Sequence, residues 1–118
     1  MKTVFRTPVT FSFEEPPSSG LIAAIRGVPE TWTPGELHFQ KDETVKDENP
    51  WFAGLYCEGR LIAFSSITAY YHLSCLRATR DLSSVWVGFD PVKLEDAHEF
   101  LVNGGEKPEW WSEGEVDE

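Results

Sequence analysis

Positive charge is scarce in this sequence. Ten lysines and arginines stand against twenty aspartates and glutamates in 118 residues, a formal net charge of −10. Nucleic acid and anionic membranes bind proteins through cationic side chains, so a balance this negative argues against both as direct partners. Long apolar runs are missing too. None approaches the ~20 residues that span a bilayer, and the opening Met1-Lys2-Thr3-Val4-Phe5-Arg6-Thr7-Pro8 lacks the continuous apolar stretch of a secretory signal. These absences lead to the expectation of a cytoplasmic protein that does not engage a membrane.

Cysteine is limited to Cys57 and Cys75, whose spacing fits neither a metal site nor a redox pair. Two buried or half-buried thiols, behaving as small hydrophobes, are expected. There is no Gly-rich phosphate loop, and no serine stands in a nucleophile-elbow context. The three histidines, His38, His72 and His98, occupy no recognised ligand spacing. Glu95 and His98 lie three apart, as in di-metal bundles, but such sites need two pairs of this kind and further carboxylates from other helices. Cys57 with a histidine lacks a third residue to orient the pair. The expectation is a protein without cofactor or metal, and not an enzyme.

What is present suits one packed domain. Hydrophobic residues make up 41% and aromatics 14% of the chain, enough apolar material for a core. Val9, Phe11 and Phe13 alternate as in a strand, with Pro8 marking an edge or a bulge. Leu21–Arg26 is a short apolar segment compatible with helix or strand. Trp32-Thr33-Pro34-Gly35 reads as a turn, followed by a strand at 36–40 and a solvated acidic loop at 42–50. The runs 51–57 and 60–66 flank Glu58-Gly59 as a tight hairpin. The register expected for it sets Tyr56 opposite Leu61, Leu55 opposite Ile62 and Ala53 opposite Phe64, which makes both faces apolar and both covered. Residues 67–76 fit a helical stripe as well as an alternating strand, and their β-branched and aromatic content favours strand. Leu82–Phe89 is a further strand. Asp90-Pro91 starts a helix that Asn103-Gly104-Gly105 ends.

The resulting fold expectation is α+β: an antiparallel sheet of about five or six strands with a C-terminal helix at 91–102 packed on one face. Residues 1–105 would form the domain and 106–118 an acidic, tryptophan-containing tail.

Charge placement carries the functional expectation. Residues 90–118 hold ten acids against Lys93 and Lys107, so most of the excess negative charge lies in the last quarter of the chain. Trp110-Trp111 stands among these acids. Two adjacent indoles are costly to leave in water, so they fold back onto the sheet or dock into another protein. The sequence suggests a small acidic binding protein that covers and inhibits a basic partner protein, such as one that handles nucleic acid. Phage anti-defence proteins and toxin-neutralising immunity proteins act in this way, an analogy of size and charge alone. Encounter would be steered by carboxylates and held by aromatic anchors. The residues expected to make the contact are Glu95, Asp96, Glu99, Glu106, Glu109, Trp110, Trp111 and Glu113. Two alternatives stand beside this one. The first is a small-molecule or catalytic pocket around Tyr70, His72 and Arg77 with Cys57. The second is a subunit of a larger assembly that uses the hairpin or the tryptophan tail.

Overall fold

The computed structural model of the protein describes residues 2–14, 32–45, 49–73 and 75–111. Six strands follow in chain order: β1 (Lys2–Ser12), β2 (Thr33–Lys41), β3 (Trp51–Cys57), β4 (Arg60–Ser66), β5 (Leu76–Ala78) and β6 (Ser84–Val87). Helix α1 (Ile67–Leu73) joins β4 to β5, and α2 (Pro91–Asn103) follows β6. The α+β character holds, but the sheet is not open. Every neighbouring pair is antiparallel and β1 returns to pair with β6, closing a barrel. Closure removes the exposed edges that an open sheet would leave.

Alternation along each strand builds the interior. Val9 and Phe11 of β1, Leu37 and Phe39 of β2, Ala53 and Leu55 of β3, Ala63 of β4, Leu76 and Ala78 of β5, and Val85 and Val87 of β6 share one buried cluster. The barrel closes unevenly. Strand β1 runs for eleven residues, yet β6 reaches only Phe11 and Ser12. The rest of β1, Pro8 included, pairs with β2 alone, and there a residue without an N–H interrupts no second ladder. Beside this one-sided stretch the interior is completed by rings. Phe5 meets Phe39, Trp110 and Trp111, and Phe39 meets Phe89.

The hairpin turn has Glu58 and Gly59 both at positive φ, 53° and 80°, as a tight hairpin with right-handed strand twist demands. Tyr56 faces Leu61 as expected. The register then shifts by one, so that Leu55 faces Ala63 and Gly54 faces Phe64. Ile62 is the extra residue of a bulge. A shift of one exchanges the faces of everything beyond it: Ala63 enters the core, whereas Phe64, like Leu61, keeps 41% of its surface exposed. The hairpin is therefore covered inside the barrel and partly bare outside it, not buried on both faces.

Two other expectations are corrected. Residues 67–73 are helix rather than strand. The Ser66 hydroxyl accepts from the Ala69 N–H at 3.1 Å, capping the helix, and Ile67 and Tyr70, three apart, are both buried. Capping and a buried stripe outweigh the β-preference of the composition. Thr33-Pro34-Gly35 is the start of β2 rather than a turn, with Gly35 opposite Val9. The apolar segment 21–26 lies outside the described residues.

Candidate functional site

The acidic run is set on a helix with both ends defined. The Asp90 carboxylate accepts from the Val92 N–H at 2.8 Å. Gly104, at φ 71°, turns the chain out of the helix, and the Gly105 N–H returns to the Glu99 carbonyl at 2.9 Å. Leu94 and Ala97 are buried, and α2 packs against α1. With these on the inner stripe, Glu95, Asp96 and Glu99 are exposed, and Glu106 and Glu109 are exposed in the segment that follows. No lysine or arginine among the described residues forms an ion pair with any of the five. Glu99 accepts from the Asn103 side-chain amide at 2.8 Å. Lys93 sits over the ring of Trp110, its Nζ 5.6 Å from the centroid. Glu113 lies outside the described residues.

The indole pair folds back. A turn closed by the Trp111 N–H on the Pro108 carbonyl, at 3.1 Å, brings both rings onto the barrel. Trp111 keeps 6% of its surface exposed and packs among Phe5, Phe39 and Phe100, with centroids 4.6, 5.4 and 5.4 Å away. Trp110 is half-buried against Phe5 and Phe89, and its Nε1 is shielded from solvent without a hydrogen-bond partner among the described residues. Trp111 is thus a core residue and has no ring to offer a partner. The two rings fasten the chain around Glu106 and Glu109 to the barrel.

His98 and His38 are engaged within the fold. His98 stacks on Tyr71, with centroids 4.5 Å apart and planes 16° apart, and its Nε2 lies 3.3 Å from the Thr68 hydroxyl. Asn49 donates to that same hydroxyl at 3.1 Å. Partial burial holds His98 below the usual imidazole range, with the Glu99 charge opposing and the His72 charge adding to the shift. Of the Glu95–His98 spacing, His98 thus enters the contact between α1 and α2, while Glu95 is exposed. On the outer face of the barrel His38 and Gln40 are buried in a second polar cluster. The His38 Nε2 lies 3.1 Å from a Glu36 carboxylate oxygen and its Nδ1 lies 3.5 Å from the Thr3 hydroxyl. The Gln40 amide donates to Thr3 and to the Tyr56 hydroxyl, at 3.3 and 2.8 Å, and Tyr56 stacks on His38. The alternation Glu36-His38-Gln40 against Leu37-Phe39 was the available signal for this cluster.

The residues of the alternative pocket lie on different elements and differ in exposure. Tyr70 is in the core, where burial pushes its phenol far above the ordinary range. His72 is exposed on α1. Arg77 is exposed on β5 and donates to the Leu82 carbonyl and the Ser84 hydroxyl, at 3.4 and 3.1 Å. The half-buried Cys57 thiol donates to the Pro34 carbonyl at 3.7 Å, and Cys75 is buried and unbridged.

Among the described residues no helix is long and apolar enough to cross a membrane. No family model, curated protein or solved structure matches the chain.

Proposed function

We propose that this protein acts by binding rather than by catalysis, covering and inhibiting a basic surface on another protein with the carboxylates of α2 and the segment behind it. One observation carries the reading: Glu95, Asp96, Glu99, Glu106 and Glu109 are all exposed, and no cation among the described residues pairs with them. Carboxylates left uncompensated on a packed helix present a fixed negative field, which accelerates encounter with a cationic partner and disfavours others. Because Trp111 is committed to the core, its part in the proposal changes from anchor to fastener. It holds the acidic segment in place so that little ordering entropy is lost on binding. A protein whose own surface contacts nucleic acid is a suitable target, since a row of carboxylates competes for the same lysines and arginines.

The test is affinity capture on the immobilised full chain, with the captured proteins identified by mass spectrometry at low and at high salt. It is repeated with the triple variant Glu95→Gln, Asp96→Asn, Glu99→Gln. The expected result is a basic partner retained at low salt, released at high salt and lost on the variant. Capture that ignores both salt and the variant, or no capture of a basic protein, would overturn the reading.

A further inference from the structure

Away from α2, one rim of the barrel is hollowed. A cleft of about 450 Å³ is lined by Phe13, Ile62, Ala78, Arg80 and Asp81, within the size range of small-ligand sites. It lies where the end of β1, the bulge of β4 and the β5–β6 loop meet. Bulges at barrel rims re-aim a side chain, and here the re-aimed residue, Ile62, forms part of the wall.

The loop is braced at several points. The Ile62 carbonyl accepts from both the N–H and the hydroxyl of Thr79, at 2.8 and 3.3 Å. The Ala78 N–H donates to the Ser83 carbonyl at 2.9 Å. The Asp81 carboxylate accepts from the N–H and hydroxyl of Ser83, at 3.0 and 2.6 Å, which holds it below the usual carboxylate range. Leu82 sits at φ 61°, an unfavourable conformation for a bulky side chain, and its carbonyl receives Arg77. The loop is thus preformed rather than waiting for a ligand to order it.

Two groups on the cleft remain largely open to solvent. Phe13 is 52% exposed, although its ring touches Phe11 edge-on. The Arg80 guanidinium is exposed and makes no hydrogen bond or ion pair with any described residue. Its neighbour Asp81, bonded to Ser83 through one carboxylate oxygen, is ionised, and the Arg80 charge helps to keep it so. The cleft thus carries one charge of each sign beside apolar walls, and the Arg80 guanidinium is the group whose hydrogen-bond donors have no partner among the described residues.

We infer that this cleft binds a compact amphipathic anion, an aryl or short alkyl carboxylate, with its apolar body against Phe13, Ile62 and Ala78 and its carboxylate on Arg80. An apolar pocket with one well-placed polar group is the common form of such sites, and a guanidinium takes a carboxylate in the bidentate geometry that suits both groups. The inference is independent of the α2 carboxylates.

The test is a titration of the isotope-labelled full chain with phenylpropionate and, separately, with phenylpropanol, followed by amide chemical shifts. Phenylpropionate is expected to shift residues 13, 62 and 78–82 saturably, and the alcohol to bind about tenfold or more weakly. Arg80→Gln should cut phenylpropionate affinity by a similar factor and leave the alcohol unaffected. Phe13→Ala should weaken both. Because both positions are exposed, neither change threatens the fold. Equal binding of acid and alcohol, indifference to both variants, or the absence of saturable shifts at the cleft would overturn the inference.

Discussion

Phe5 and Trp111 stack, with ring centroids 4.6 Å apart and planes 22° apart. One belongs to the first strand and the other lies beyond the last helix, so this contact ties the beginning of the barrel to the segment that follows α2. It also fills the side of β1 that β6 does not reach, where the interior would otherwise open to water.

The first prediction concerns this contact. Trp111→Ala removes a large buried ring from between Phe5, Phe39 and Phe100. Chemical denaturation should show a loss of about 3–5 kcal/mol. In a double-mutant cycle with Phe5→Leu, the coupling should be about 0.5–1.5 kcal/mol. A loss under about 1 kcal/mol would mean that the segment after α2 does not contribute to the core.

Gly35 offers a second measurement. A Cβ at this position would lie 2.8 Å from the Tyr56 carbonyl oxygen and 3.0 Å from the Phe11 ring. The carbonyl belongs to the backbone of β3 and cannot rotate away. Gly35→Ala should cost about 1–3 kcal/mol by overpacking. Unchanged stability would show that β2 and β3 separate more readily at this end than their pairing implies.

The start of α2 is set by Asp90, whose side chain accepts from the Val92 N–H. Asp90→Ala should cost about 1 kcal/mol, and Asp90→Asn should restore most of it because asparagine caps equally well. Thermal melts of the two variants distinguish loss of the cap from loss of the charge.

His98 predicts a pH dependence with a definite sign. Partial burial lowers its pKa in the folded protein, so over the affected range the unfolded chain binds more protons than the native one. The contribution of His98 to stability is complete above the unfolded value of about 6.5. It declines as pH falls through that value toward the lower folded pKa. Denaturation midpoints measured across this window should drop toward acid, and His98→Gln should flatten the slope. A His98 titration followed by NMR that gives a value at or above the unfolded one would reverse the sign.

Much of the local structure was legible in the sequence because its causes are local. Asp90-Pro91 and Gly104 bound a helix through capping and φ preferences that need no tertiary partner. Glu58-Gly59 makes a hairpin for the same kind of reason, and the alternation of Leu37 and Phe39 with polar neighbours marks a strand. The assignment of 67–73 went astray because its residue types favour strand whereas its cap, Ser66, and the spacing of Ile67 and Tyr70 favour helix. Neither signal prevails until there is a core for Ile67 and Tyr70 to enter.

By itself, then, the sequence determined roughly where β1 to β4, β6 and α2 lie, but not α1 or β5, together with the tight turn between β3 and β4 and the concentration of acidic residues after residue 90, all of which follow from neighbours along the chain. Barrel closure, the bulge at Ile62, the burial of Trp111 and the cleft beside Arg80 were decided by tertiary structure alone. Each depends on pairing between residues distant in sequence. A shift of one position in that pairing moves a side chain from solvent to core, and no periodicity within a single strand encodes the shift.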